Sequence, residues 1–174
     1  MTSPSKAKGN SFERKVADFL TELYGEKFIR VPGSGAYVGG KNNHRKQFLH
    51  EGQIRNFKGD IVPGQSFPRF NAECKSYKDF PFHQLYSGTT KILDDWLNQL
   101  MDVADPGDFN ILFMKFNRKG EFVATPCNDI QPSTNQNYTI YNSPKHGQWL
   151  IQDFSTFWQI NQDIVKARCA IIHE

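Results

Sequence analysis

Asn71-Ala72-Glu73-Cys74-Lys75 is the stretch that decides the reading of this chain. On a strand the side chains alternate between faces, so Glu73 and Lys75 project together while Ala72 and Cys74 turn to the other side. Thirteen residues before Glu73, Gly59-Asp60-Ile61 opens another β-rich run. The run from Asp60 to Val62 and the run from Phe70 to Ser76, joined through Pro63-Gly64, are expected to form a hairpin. That hairpin would carry Asp60 to the end of the sheet where Glu73 and Lys75 stand. A Glu-x-Lys triplet alone has little weight, because exposed strands often carry such ion pairs. The preceding Asp, the apolar strand and an upstream helix with its own acid give it weight. Two carboxylates and a lysine are what phosphodiester hydrolysis requires: oxygen ligands to hold Mg2+ against the phosphate, and a group that positions the attacking water.

Working outward, Phe12, Val16, Phe19, Leu20, Leu23 and Tyr24 recur at helical spacing, and Gly25 supplies a C-terminal stop. Order is expected from about Asn10, with residues 1–10 as a flexible basic arm. Lys27 to Val31 reads as a short strand, broken by Pro32-Gly33-Ser34-Gly35. Residues 36–58, with Gly39, Gly40, Asn42 and Asn43 and little periodicity, read as an extended basic loop. Ile92, Leu93, Trp96, Leu97, Leu100 and Met101 form a second amphipathic stripe, ended by Asp105-Pro106-Gly107. Asn110 to Phe116 and Glu121 to Thr125 flank a hairpin turn at Asn117-Arg118-Lys119-Gly120. Beyond Thr125, short strands are expected at Tyr138 to Tyr141 and Trp149 to Ile151, and a helix at Phe154 to Ile160.

The 174 residues suit one compact domain, and 38% hydrophobic residues with fifteen Phe supply a core. The N-terminus has no apolar run that could act as a signal, and nowhere do eighteen uncharged apolar residues follow one another. Cys74, Cys127 and Cys169 are odd in number and contain no C-x-x-C pair. Together these features point to a cytoplasmic protein. The net charge of +3 hides an asymmetry: residues 1–58 hold eleven Lys/Arg against five Asp/Glu, while residues 59–174 hold ten against thirteen. A basic front third is the electrostatic footprint of a polyanion binder. Lys41, Arg45, Lys46, Arg55 and Lys58, interleaved with Phe48 and Phe57, are the candidate DNA contacts. The histidines show no ligand spacing, which argues against zinc.

From about Gly9 to Thr125 the chain resembles the PD-(D/E)xK nuclease superfamily, and within it the archaeal-type Holliday junction resolvases, which also occur in phages. In that family a glutamate lies early in the first helix, a Ser-containing loop follows the first strand, and the Asp and Glu-x-Lys lie on the next two strands. Glu13, Ser34, Asp60, and Glu73 with Lys75 match these positions. The resemblance implies an α/β restriction-endonuclease-like fold with a central mixed sheet flanked by helices. It implies Asp60, Glu73 and the Cys74 backbone carbonyl as metal ligands, with Glu13 completing the acidic cluster directly or through water. It implies Lys75 as the group that orients the nucleophilic water and stabilises developing charge. Mg2+ is the expected cofactor, with Mn2+ able to substitute.

Two departures stand out: Gly59 replaces the proline that precedes the motif Asp, and the chain is longer than the family pattern at 36–58 and after about residue 126. The expected organisation is therefore a single nuclease domain over 11–174 with a basic loop insertion and a C-terminal extension. Glu13 has a second reading, as the N3 member of a capping box with Asn10 as N-cap, and Ser34, expected to contact DNA at a phosphate or through a metal-bound water, also sits in an ordinary Gly-Ser-Gly turn. The expected activity is a Mg2+-dependent, structure-specific endodeoxyribonuclease acting on four-way junctions or other branched DNA as a homodimer. Alternatives are another nuclease of the superfamily (nicking, restriction or recombination exonuclease) and a non-catalytic DNA-binding protein.

Overall fold

The computed structural model describes residues 3–32 and 58–170. In chain order the elements are α1 (Pro4–Tyr24), β1 (Ile29–Arg30), β2 (Ile61–Val62), β3 (Phe70–Tyr77), α2 (Gln84–Ser87), α3 (Lys91–Asp102), β4 (Phe109–Phe116), β5 (Gly120–Pro126), β6 (Thr139–Ser143), β7 (Gly147–Asp153) and α4 (Phe154–Ala170). Five strands form one sheet in the order β3-β4-β5-β7-β6, with β3 and β4 parallel and the other neighbours antiparallel. β4 shows why the sheet has a core on each side. Phe109, Ile111 and Phe113 enter one cluster with Leu20 of α1 and Phe157 and Val165 of α4. Leu112, Met114 and Phe116 enter the other with Leu93, Trp96, Leu97 and Leu100 of α3. A strand buried on both faces reads as a continuous apolar run, as this one does. The mixed sheet flanked by helices is the expected α/β arrangement and is consistent with a restriction-endonuclease-like fold. Trp96, 4% exposed, is part of the core.

Several boundaries differ from the sequence-based expectation. α1 begins at Pro4, six residues before Asn10, because Ser3 caps it by accepting the Lys6 N–H at 3.3 Å and Pro4 occupies the first helical position. The stretch expected as a flexible arm is thus largely helix. Asn10 and Glu13 are interior helical residues, which removes the capping-box reading. β2 pairs antiparallel with β1 and not with β3, so the expected hairpin is absent. The segment expected as a C-terminal extension supplies β6, β7 and α4: β7 lies between β5 and β6, and Phe157, Trp158, Val165 and Cys169 of α4 are core residues.

The approach to Asp60 is fixed by three consecutive residues. Lys58, 9% exposed, donates to the carboxylates of Asp105 (2.9 Å) and Asp108 in the turn between α3 and β4. Asp60 donates its N–H to Ala72 O on β3 at 2.8 Å and accepts the Val31 N–H on its own carbonyl at 2.8 Å. Between them Gly59 has φ of +68°, and a Cβ there would sit 2.5 Å from Ala72 O. A side chain would therefore meet both backbone strain and a backbone atom that cannot move without disturbing β3. Proline cannot adopt this φ at all. The glycine in place of the family's proline thus accompanies a different local backbone.

Restoring the family residue should consequently harm this chain. Gly59→Ala and Gly59→Pro are both expected to destabilise it by ~2 kcal/mol or more, read as a lowered urea midpoint at unchanged slope. Wild-type stability of Gly59→Pro would contradict this account of the Asp60 approach.

Candidate active site

β3 and the loop ahead of β2 bring Asp60, Glu73 and Lys75 together. Asp60 Oδ2 accepts the Cys74 N–H at 2.7 Å, so the carboxylate occupies a ladder position on the outer edge of β3. N–H and C=O of one strand residue emerge on the same edge. The Cys74 carbonyl therefore points to the edge that Asp60 occupies. Glu73, 3% exposed, is paired with Lys75 through a 2.7 Å contact between Oε1 and Nζ. Lys75 Nζ also donates to Gln99 Oε1 of α3 at 2.6 Å. Glu13, from α1, completes the acidic group. Its Oε2 accepts from Arg30 Nε at 2.5 Å, while Arg30 Nη2 donates to Asn10 Oδ1 at 2.5 Å.

The electrostatics show that these acids feel one another. Burial, then the neighbouring Asp60 charge, pushes the Glu73 carboxyl up to about 7, and Lys75 only partly offsets this. Glu13 is raised by burial and by Asp60, against the opposing pull of Arg30. The Cys74 thiol is pushed up by burial, so it is not a reactive thiolate. The site thus gathers more buried negative charge than Lys75 and Arg30 relieve.

Hard carboxylate and carbonyl oxygens on an electronegative edge suit Mg2+, which typically takes one or two carboxylates and keeps waters and substrate phosphate as its other ligands. Among the described residues, no three His, Cys, Asp or Glu side chains form a ready coordination shell. The reason is visible: Glu13 is turned to Arg30, Asp60 to the Cys74 N–H, and Glu73 to Lys75. Asp60, Glu73 and the Cys74 carbonyl are the oxygen donors that could hold a divalent cation, and a further positive charge there would relieve the repulsion that raises Glu73.

The other expected site residues are divided. Ser34, Lys41, Arg45, Lys46 and Arg55 lie outside the described residues. Lys58 is described, but its place between Asp105 and Asp108 makes it an internal strut and takes its ammonium away from a DNA-facing surface. Two residues that sequence reasoning did not assign to the site belong beside it. Gln99, an exposed residue of α3 outside its apolar stripe, steadies Lys75. Arg30 holds Glu13. Its position on the first strand, next to the helix that carries Glu13, was the available signal.

The sequence profile of the family described as "phage putative PDDEXK endonuclease" matches residues 4–166. "Protein D14" of Escherichia phage T5 is 34% identical over 103 residues, a match covering 57% of this chain and 56% of that protein. The chain thus aligns with little more than half the length of that relative. No solved structure gives a significant match.

The raised Glu73 carboxyl has a consequence for stability. The folded protein holds the Glu73 proton more tightly than the unfolded chain, so in EDTA stability should fall as pH rises from about 4.5 to about 7. Glu73→Gln removes the buried charge and is expected to raise stability at pH 8 by ~1–3 kcal/mol. Urea denaturation across this range checks it, and a Glu73→Gln protein less stable than wild type at pH 8 would refute it. With a match that spans most of its length and carries the Asp60, Glu73 and Lys75 site, the chain belongs to the phage PDDEXK endonuclease family.

Proposed function

We propose that this protein is a metal-dependent, structure-specific endodeoxyribonuclease that cuts branched DNA, with four-way junctions as its preferred substrate. The observation that supports it best is the convergence of Asp60, Glu73 and Lys75 on one edge of β3. Asp60, Glu73 and the Cys74 carbonyl would hold Mg2+, or Mn2+ in its place. When bound, the cation supplies Lewis-acid neutralisation of charge on the scissile phosphate.

The chain's own groups do the rest. Lys75, held between Glu73 and Gln99, keeps its ammonium in a fixed place, where it can orient the attacking water and stabilise the charge that develops on the phosphate oxygens. Asp60 is locked by two hydrogen bonds to β3, so it needs little reorganisation when substrate arrives. Glu13, held by Arg30 at the margin of the cluster, adds negative charge that favours cation capture.

The junction reading rests on the resemblance and on symmetry. A four-way junction has two equivalent strands to cut, and a chain with one Asp60, Glu73 and Lys75 set needs a two-fold partner to make paired nicks. The basic front third, doubled in a homodimer, would suit splayed duplex arms.

Asp60→Asn and Glu73→Gln should each lower cleavage of a synthetic junction by at least about 1,000-fold while DNA binding stays within a few fold. Lys75→Ala should lose roughly 100-fold to 1,000-fold in turnover yet still bind Mn2+. Wild-type cleavage by any of the three would dismiss the site. Sedimentation should find a dimer that prefers junctions to linear duplex. A monomer degrading duplex from its ends would replace the resolvase with an exonuclease.

A further inference from the structure

Beside the acidic cluster, a cleft of about 580 Å3 runs between the start of α1 and the C-terminal end of β3. It is lined by Lys8 of α1, by Lys75, Tyr77 and Lys78 of and after β3, and by Asn117 at the β4–β5 turn. Lys75 belongs to the catalytic group already described. Lys8, Lys78 and Asn117 have so far been given no role.

Three features mark this cleft as a place for anions. First, among the described residues it is lined by three lysines and no acid, whereas the cleft on the outer face of α1 carries Asp18 and Glu22 and the one by the β4–β5 hairpin carries Glu121 and Asp153. Second, Lys8 and Lys78 are exposed and form no ion pair with the described residues, while the surface lysines Lys15, Lys91 and Lys119 are tied to Glu121, Asp95 and Asp79. Asp79, next in sequence to Lys78, is thus already engaged by Lys119. Third, Pro4 at the first turn of α1 lines the same cleft, and that turn holds no acidic side chain. The positive end of the helix dipole thus meets no acid of its own first turn there. Tyr77, 45% exposed and braced against Trp96 with ring centroids 4.9 Å apart, gives the cleft a firm wall two residues beyond Lys75.

Building on the nuclease reading, we infer that this cleft seats the DNA backbone immediately beside the cleaved bond, with Lys8 and Lys78 each pairing with a phosphate and Asn117 donating to the same stretch of backbone. Lys75 carries the argument, because it pairs with Glu73 and also lines the cleft together with Lys8 and Lys78. A backbone whose scissile phosphate lies at Glu73 and Lys75 and continues along β3 reaches the cleft next. These contacts carry no base information, so they set the position of the cut relative to the enzyme and not its sequence.

The experiment uses the full-length protein, a junction substrate and a series of single methylphosphonate linkages that neutralise one phosphate at a time around the mapped cut. Lys8→Ala/Lys78→Ala should weaken junction binding at least tenfold at moderate salt and reduce the salt slope by about two. The rate at saturating DNA should stay near wild type, and Lys78→Arg should bind as wild type does. Neutral linkages at one or two positions flanking the cut should weaken binding by wild type and have no further effect on the double variant. If wild type binds and cuts but the double variant keeps its slope, or its losses multiply with every neutral linkage, the cleft is not the backbone seat and the nuclease reading stands. If wild type neither binds nor cuts any DNA, that reading fails, and this inference falls with it. Both lysines are exposed and form no ion pair among the described residues, so the variant should fold, and a thermal melt checks this.

Discussion

The two hydrogen bonds between Asp60 and β3, one from its N–H to Ala72 O and one to its carboxylate from the Cys74 N–H, hold the candidate site together. Asp60 is not a ladder residue, yet it covers the outer edge of β3 as a neighbouring strand would. That arrangement requires the chain to turn sharply just before it, which Gly59 permits. It also requires an anchor on the far side of the turn, which Lys58 provides through Asp105 and Asp108. The short β1–β2 ladder fixes the chain that follows, with Arg30 opposite Ile61. The same ladder therefore places Arg30 against Glu13. One backbone device sets the positions of all three acids.

Charge then accounts for the site's chemistry. Asp60 raises the proton affinity of both Glu13 and Glu73, and the more deeply buried Glu73 is raised further than Glu13. A fold selected only for stability would not gather them. Lys75 and Arg30 compensate in part, and they do so as separate pairs with Glu73 and Glu13. Acids shifted in this way cluster at functional sites.

The sequence was most legible where period and chemistry agreed. The alternation at 71–75 put Glu73 and Lys75 on one face, and the apolar run of β4 and the stripe of α3 announced the sheet and the helix that cover it. The start of α1 was missed because the polar, basic residues before Asn10 lack an apolar face, although Ser3-Pro4 is a capping signal. The β2–β3 hairpin was expected because Pro63-Gly64 is a strong turn signal. The partner of β2 is β1, a pairing between distant residues that no local pattern reveals. Lys58 was grouped with the basic stretch by charge alone, and only tertiary structure shows Asp105 and Asp108 waiting for it. Gln99 and Arg30 joined the site for the same reason: each meets a partner many residues away.

The most direct test of the central claim is anomalous diffraction from crystals grown with Mn2+. The account predicts a peak bounded by Asp60, Glu73 and the Cys74 carbonyl, lost in Asp60→Asn crystals under the same conditions. A wild-type crystal with no peak at that edge of β3, or with its Mn2+ held elsewhere and unaffected by Asp60→Asn, would contradict it.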